Sequence, residues 1–180
     1  GYHGFTGVIC TSVNDEIGHG IPGTRKLVDG DIISIDGGAV VDGWHGDAAI
    51  TVAVGEVADD VRELMRVTED ALWQGIAAAA LKGHVSDISH AVQSCVEAAG
   101  DYGIARGYTG HGIGSAMHQP PSVPNVGRAG RGPKLVKGLV LAVEPMVTLG
   151  SPDNRTLDDG WTEVTTDGSW AADYEEPFTR

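Results

Sequence analysis

Two consecutive amphipathic helices in the middle of the chain limit its possible folds more than any other pattern. Apolar residues recur at helical spacings over residues 59–80, and a Lys-Gly pair then ends the run. A second helix is predicted to begin at Ser86 or Asp87 and to stop at Gly100. Each helix needs an apolar surface to cover, and the strands on either side supply one. We therefore expect an α+β domain with helices on one face of a largely antiparallel sheet.

Short segments rich in β-branched residues flank the helical region. Before the helices, strands are predicted at residues 8–13, 31–36, 40–44 and 48–54. After the helices, strands are predicted around residues 106–109, 139–147, 161–166 and 169–174. Residues 119–137 are rich in Pro, Gly and Arg, which predicts a long surface loop. No repeat or linker-like stretch divides the sequence, so we expect a single domain over residues 1–180.

The charge balance excludes several classes of partner. The 180 residues include 12 Lys or Arg and 25 Asp or Glu, which gives a formal net charge of −13. Nucleic acid or an anionic membrane surface requires a basic face, and only residues 128–137 are locally basic. No apolar run approaches the roughly 20 residues that span a bilayer. Cys10 and Cys95 imply no disulfide framework, so we expect a cytoplasmic protein without a nucleic-acid or membrane partner.

Two aspartates lie where neighbouring strands are predicted to end. Asp36 ends the alternating strand at residues 31–36, and Asp47 follows in a His-Gly-Asp segment. Taken singly, each aspartate is typical of a turn. Taken together, they can project towards one point, where two carboxylates need a cation or a shared proton.

Three histidines lie in segments rich in glycine or proline. His111 stands in TGHGIG, His118 precedes Gln-Pro-Pro, and His19 lies in GHGIP. The glycines around His111 are weak evidence for a phosphate-binding turn, because the strand, helix and lysine of a phosphate loop are missing. The alternative is that they allow close backbone packing while the imidazole reaches into a site.

Two glutamates extend the set of candidate metal ligands. Glu144 follows a strongly apolar run, where a carboxylate is costly unless it is paired or binds a metal. Glu175 taken alone is typical of an exposed acid near the end of the chain. Four carboxylates and one imidazole suit two divalent ions about 3.5–4 Å apart, with open positions for a water. The set therefore indicates hydrolytic chemistry without a cysteine ligand.

Five short motifs contain the candidate ligands in order along the chain: IDGG, HGD, TGHGIG, VEPM and YE. Together with GHGIP, this series resembles the metal-ligand motifs of the methionine aminopeptidases over nearly the whole chain. The 33 positions from His111 to Glu144 leave no room for the large helical insertion of the second class, so the chain is more similar to the first class, type I. The resemblance implies the pita-bread fold, a curved and mostly antiparallel sheet covered by helices on one face.

The resemblance also implies a metal-dependent reaction. It has Asp36 binding one metal ion, His111 and Glu144 binding the other, and Asp47 and Glu175 bridging both. The implied cofactors are two divalent ions, and Co, Mn, Fe and Zn all suit the donors. The implied reaction removes the initiator methionine from nascent proteins whose second residue is small. The implied enzyme is a monomer that acts on the N-termini of nascent polypeptides at the ribosome.

Further residues match substrate-binding positions of that family. His118 matches the histidine that interacts with the scissile carbonyl, and His19 matches the histidine near the first peptide bond. Glu144 matches the residue that shuttles protons as well as binding metal. The wall of the pocket for the methionine side chain matches Tyr2, Phe5, Cys10, Met117 and Trp161. Ordinary core packing explains each of these five residues about equally well.

Other interpretations remain open. A prolidase or X-Pro aminopeptidase of the same fold would use the same ligand types, and a catalytically impaired relative would serve as a binding module. In the family, His and Thr and a continuing strand follow the last ligand, whereas Glu176 and Pro177 follow Glu175 here. Proline removes a hydrogen bond from a strand ladder. We expect a catalytic domain truncated at both ends, without the strand after Glu175 and with an unpaired sheet edge.

Overall fold

A computed structural model describes residues 2–180 and contains both expected helices. Helix α1 comprises Asp59–Ala78, and helix α2 comprises Val85–Ala99. Before α2, the backbone N–H of His84 donates to Oδ2 of Asp87 at 2.7 Å, which satisfies a free donor at the start of the helix. Among the described residues, neither helix is long and apolar enough to cross a membrane.

The strands before the helices are β1 (Cys10–Val13), β2 (Glu16–Gly18), β3 (Ile32–Val41) and β4 (Trp44–Ala53). Strands β3 and β4 form one long antiparallel hairpin. Between them, Asp42 and Gly43 have φ angles of 51° and 83°, as a tight two-residue hairpin turn requires. The separate strand predicted at residues 40–44 is therefore wrong, because this Asp-Gly pair reverses the chain inside it.

The strands after the helices are short. They are β5 (Gly103–Ile104), β6 (Thr109–Gly112), β7 (Gln119–Pro124), β8 (Val140–Val143), β9 (Met146–Thr148), β10 (Asn154–Thr156), β11 (Glu163–Thr165), β12 (Ala171–Asp173) and β13 (Glu176–Thr179). Within residues 2–180, every strand pairing is antiparallel. The pairings divide into four sheets, with the orders β1-β3-β4, β10-β11-β2, β12-β9-β5 and β13-β8-β6-β7. The predicted antiparallel arrangement is confirmed.

Several strand boundaries differ from the prediction. The loop expected at residues 119–137 begins with β7, whose two adjacent prolines are tolerated because β7 lies at the edge of its sheet. The strand expected at residues 139–147 is interrupted at Glu144 and Pro145, between β8 and β9. The strand expected at residues 106–109 is shifted towards β6, since the preceding residues form a turn.

The segment after Glu175 does form a strand. Strand β13 pairs with β8, and Pro177 lies opposite Ala142 in this pairing. Because β13 is the edge strand of its sheet, the missing N–H of Pro177 is compatible with its place there. The expectation that no strand follows Glu175 is wrong.

The helices bury an apolar face against the strands. Helix α1 contacts β4, β8, β9 and β12, while α2 contacts α1 and β7. Leu64 of α1, Val92 of α2 and Leu141 of β8 are almost completely buried in one core. Tyr174, between β12 and β13, packs into the same core. The expected α+β architecture is confirmed, and its core lies between the helices and the strands.

Candidate metal centre

The β3–β4 hairpin carries the first two candidate ligands on one face. Asp36 lies opposite Ala49, and Asp47 lies two residues before Ala49, so the two aspartates are diagonal neighbours. Both lie inside their strands, and the expected position at strand ends is wrong because the hairpin continues beyond them. Burial, together with the charge of Asp47, raises the pKa of Asp36 to about 6.

Glu175 joins this face through a backbone contact with β4. The N–H of Glu175 donates to the Ala49 carbonyl at 2.9 Å, and the Ala49 N–H donates back at 3.2 Å. One carboxylate oxygen from each of Asp36, Asp47 and Glu175 lies within 4.8 Å of the other two. Glu175 is only 5% exposed, so the interpretation of an exposed acid is wrong. Chain neighbours alone gave no sign of this burial, which arises from the contact with β4.

The next two candidate ligands come from β6 and from the corner after β8. A Cβ atom at Gly110 would collide with the Ala142 carbonyl, so glycine allows β6 to lie close against β8. The Nδ1–H of His111 donates to the Gly112 carbonyl at 3.0 Å, which assigns the tautomer with a free Nε2. That Nε2 lies 3.9 Å from Oε1 of Glu144 and 3.7 Å from Oε1 of Glu175.

The electrostatics of these side chains favour bound cations. Burial raises the pKa values of Glu144 and Glu175, and the negative charges of neighbouring acids raise them further. Oε1 of Glu175 has no hydrogen-bond partner among residues 2–180. Buried carboxylates that repel one another are stabilised by a cation or by protons. Hard oxygen donors with one imidazole fit divalent Mn, Fe, Co or Zn.

The five ligand residues separate into two overlapping sets. Asp36, Asp47 and Glu175 form one set, while His111, Glu144 and Glu175 form the other. Asp47 also lies within ligand range of His111, in a third set. The shared carboxylates are those expected to bridge two ions. The ligand roles stay a prediction, and the donors present fit that prediction.

His118 lies beside this cluster. Its ring centroid is 4.3 Å from that of His111, and its Nδ1 shares a hydrogen bond with Tyr2 Oη at 2.9 Å. Asp47, His111 and His118 form the third set of side chains whose ligand atoms lie within 4.8 Å of one another. Burial and the neighbouring histidines lower the pKa of His118, which favours the neutral imidazole.

His19 occupies a strained backbone position. Its φ of 56° lies in the left-handed region, which is uncommon for residues other than glycine and often marks functional positions. Its ring packs edge-on against Tyr108, with 5.9 Å between centroids. Burial lowers the pKa of His19, while the charges of Glu163 and Asp47 act in the opposite direction.

The five residues expected to line a methionine pocket lie in two groups. Three of them lie near the polar cluster. Tyr2 shares a hydrogen bond with His118, and the Met117 side chain packs against Gly38. Cys10 lies opposite Asp36 in the pairing of β1 with β3. Phe5 and Trp161 pack on each other, with 5.1 Å between ring centroids. Their role as a side-chain pocket stays a prediction.

Three further residues near the site are not among those predicted from the sequence. Asp173 is buried two residues before Glu175, and this spacing places both side chains on the same face of an extended chain. Tyr108 and Glu163 lie near His19, and burial followed by the Glu163 charge raises the pKa of Tyr108. The alternation of residues 173–175 could have identified Asp173, whereas no local pattern singles out Tyr108 or Glu163.

Comparisons with known proteins identify the family of this chain. A sequence model of metallopeptidase family M24 matches residues 1–173. The chain belongs to this metallopeptidase family. Among curated M24 relatives, the methionine aminopeptidase of Clostridium acetobutylicum is 51% identical over 176 residues, which cover 97% of this chain and 70% of that protein. Methionine aminopeptidase 1 of Bacillus subtilis is 50% identical, again over 97% of this chain and 70% of that protein.

Solved structures agree with the M24 assignment. The crystal structure of methionine aminopeptidase from Rickettsia prowazekii matches with a TM-score of 0.96 and 41% identity, over 99% of this chain and 72% of that one. An X-Pro aminopeptidase from Thermotoga maritima matches with a TM-score of 0.71 at 20% identity, over 95% of this chain and 43% of that one. The second likeness shows the fold alone. The expected pita-bread fold of this M24 chain is confirmed.

Proposed function

We propose that this M24 chain is a methionine aminopeptidase that removes the N-terminal methionine from polypeptides whose second residue is small. One observation carries the proposal: the ligand atoms of Asp36, Asp47, His111, Glu144 and Glu175 come together in overlapping, partly to fully buried sets. The high identity to methionine aminopeptidases over nearly the whole chain supports the choice of substrate.

The proposed cofactors are two divalent cations. Asp36 would hold one cation, His111 and Glu144 would hold the other, and Asp47 and Glu175 would serve both. Such a pair, when bound, lowers the pKa of water and polarises a carbonyl oxygen. Co, Mn, Fe and Zn all suit these donors, because each accepts carboxylate and imidazole ligands.

Glu144 is the proposed proton carrier. It accepts a proton from the attacking water as the new carbon–oxygen bond forms at the scissile carbonyl. It then delivers that proton to the leaving amine as the carbon–nitrogen bond breaks. Its burial beside His111 keeps this exchange away from bulk water.

His118 and His19 are proposed to act on the peptide bond. Nδ1 of His118 shares a hydrogen bond with Tyr2 Oη, and in the proposed tautomer Tyr2 donates this bond, so that Nε2–H of His118 donates to the developing oxyanion. His19 contacts the first peptide bond of the substrate and orients it. In this proposal Tyr2 selects the tautomer that His118 needs.

The methionine side chain is proposed to contact Tyr2, Phe5, Cys10, Met117 and Trp161. A flexible thioether makes favourable contacts with aromatic edges and with other sulfur-containing side chains. The edge-on pair of Phe5 and Trp161 offers such aromatic edges. Contacts of this kind would favour methionine over shorter side chains.

The proposed cellular setting is the cytoplasm, where a monomer acts on nascent chains, associated with the ribosome but without direct nucleic-acid contact. The net charge of −13 disfavours contact with RNA. Cosedimentation with translating ribosomes tests the association, and light scattering tests the monomer. A dimer, or absence from the ribosome fraction, would overturn the corresponding part.

The activity is tested with short peptides and added Co²⁺, Mn²⁺ or Fe²⁺. We expect release of methionine from Met-Ala-Ser, no cleavage of Ala-Pro or Met-Pro peptides, and no release by His111→Ala. An exposed aspartate on α1 provides the control, and Asp70→Asn retains full activity. Cleavage of Ala-Pro in preference to Met-Ala would favour the X-Pro alternative, while undiminished release by His111→Ala would contradict the ligand assignment.

A further inference from the structure

Behind the metal centre lies a second row of polar side chains. The outer row crosses the strands at Cys10, Asp36, Ala49 and Glu175. The inner row lies two residues away from the outer row on each strand, on the same side of it, and comprises Ser12, Ser34, Thr51 and Asp173. Ser12 lies opposite Ser34, and Ser34 lies opposite Thr51. Thr51 Oγ1 donates to the Asp173 carbonyl at 2.8 Å and accepts from the Asp173 N–H at 2.8 Å.

Asp173 is the acidic member of the inner row, and it lacks a compensating partner. Its side chain is 2% exposed, and its Oδ1 has no hydrogen-bond partner among residues 2–180. Within the same residues, no lysine, arginine or histidine forms an ion pair with it. A buried carboxyl oxygen without a partner costs free energy that a nearby positive charge offsets.

The direction of Asp173 follows from the alternation of the chain. Tyr174 packs into the apolar core, so Asp173 and Glu175 on either side of it face away from the core. Ala49 pairs with Glu175, and Thr51 Oγ1 hydrogen-bonds to the Asp173 backbone. Both residues lie on the same face of β4 as Asp47. Burial first, and then the charges of Asp36 and Asp47, raise the pKa of Asp173 well above its usual range, which agrees with this placement.

We propose that Asp173 is a positioning residue of the metal centre, a fifth carboxylate whose negative charge acts through Asp36 and Asp47 to strengthen divalent-cation binding. Asp173 lies outside the sets whose donor atoms come within 4.8 Å of one another. It therefore acts through the ligand residues and not as a ligand itself. Bound cations favour the ionised form of this carboxyl, and its negative charge in turn attracts them strongly, because buried charges are weakly screened. This inference rests on the proposed function, since it presupposes the two-cation centre.

The test is a calorimetric titration of the whole chain with Mn²⁺. We expect Asp173→Asn to weaken Mn²⁺ binding about tenfold, because the amide keeps the shape and removes the charge. Asp31 is the matched control: it is also buried, but its carboxylate accepts hydrogen bonds from Asn14 and from the Val28 N–H. Asp31→Asn lowers the melting temperature and leaves the Mn²⁺ affinity unchanged.

A merely structural role for Asp173 predicts the opposite pattern. The melting temperature without metal would then fall in Asp173→Asn while the Mn²⁺ affinity stayed at the wild-type value, and that result overturns the proposal. Asp173→Ser provides a second variant, and we expect Mn²⁺ to raise its melting temperature less than that of the wild type. If the wild-type chain itself binds no Mn²⁺, the proposed metal centre fails before Asp173 is tested, so the two failures are distinguishable.

Discussion

The two faces of residues 171–175 are both buried but meet opposite surroundings. On one face, Tyr174 packs into the apolar core against the helices. On the other face, here called the acidic face together with the neighbouring Asp36 and Asp47, Asp173 and Glu175 each carry an oxygen with no hydrogen-bond partner among residues 2–180. Burial of apolar surface stabilises a fold by itself, whereas buried and unpaired carboxylates destabilise it until a cation or protons bind. In this one segment, the side chain that stabilises the fold lies on one face, and the side chains that require a ligand lie on the other.

The largest expected effect comes from removing a carboxylate that both proposed cations share. We expect Asp47→Ala to lower kcat/KM for Met-Ala-Ser by about a thousandfold or more, which is about 4 kcal/mol of transition-state stabilisation. The metal-free variant remains folded by circular dichroism, because the apolar core is untouched. Activity within tenfold of the wild type would show that Asp47 is no ligand.

A core substitution on the apolar face gives the complementary result. We expect Leu64→Ala to lower the free energy of unfolding by about 3 kcal/mol, because Leu64 is completely buried in α1. Denaturant unfolding measures this loss, and Mn²⁺ affinity per folded molecule stays unchanged. A variant that loses Mn²⁺ affinity while keeping its stability would contradict the separation of the two faces.

The pH dependence of the metal-free protein sharpens the same comparison. Burial followed by the Asp47 charge raises the pKa of Asp36 from 3.8 to about 6, and burial followed by the Glu144 charge raises that of Glu175. The folded state therefore binds protons more tightly than the unfolded chain, so stability is lost as pH rises through these pKa values. In EDTA, we expect a higher melting temperature at about pH 5 than at about pH 7.5.

Saturating Mn²⁺ provides the control for this pH experiment. Bound cations replace the protons, so we expect the stability lost near neutral pH to return. A metal-free melting temperature that rises between about pH 5 and pH 7.5 would contradict the account of the acidic face.

The smallest expected effect concerns Tyr2, which contacts His118 beside the metal-ligand cluster. Tyr2→Phe removes the hydrogen bond to Nδ1 of His118 and keeps the aromatic ring. We expect kcat to fall about fivefold with little change in KM, which corresponds to about 1 kcal/mol. A change in KM alone would assign Tyr2 to substrate binding rather than to the tautomer of His118.

The helices and most of the candidate ligands could be predicted from the sequence because their signals are local. Helical spacing identified α1 and α2, and the glycine-flanked His111 stood out from its neighbours. The hairpin turn at Asp42 and Gly43 was also readable, since Asp-Gly between apolar segments is typical of such turns. Its neighbouring β-branched residues predicted a continuous strand instead.

The remaining differences arise from tertiary contacts. Glu175 is buried because its backbone pairs with Ala49, a residue far away in the sequence. The edge position of β7 makes its prolines acceptable, and no local pattern reveals an edge. Asp173 acquires its surroundings from Thr51, which again belongs to a distant strand.

The number of Mn²⁺ ions bound per chain tests the central claim most directly. Calorimetric titration of the metal-free protein is expected to show two Mn²⁺ ions per chain in the wild type and loss of that binding in Asp47→Ala. The claim is contradicted if the wild type binds no Mn²⁺, or if Asp47→Ala binds it as the wild type does.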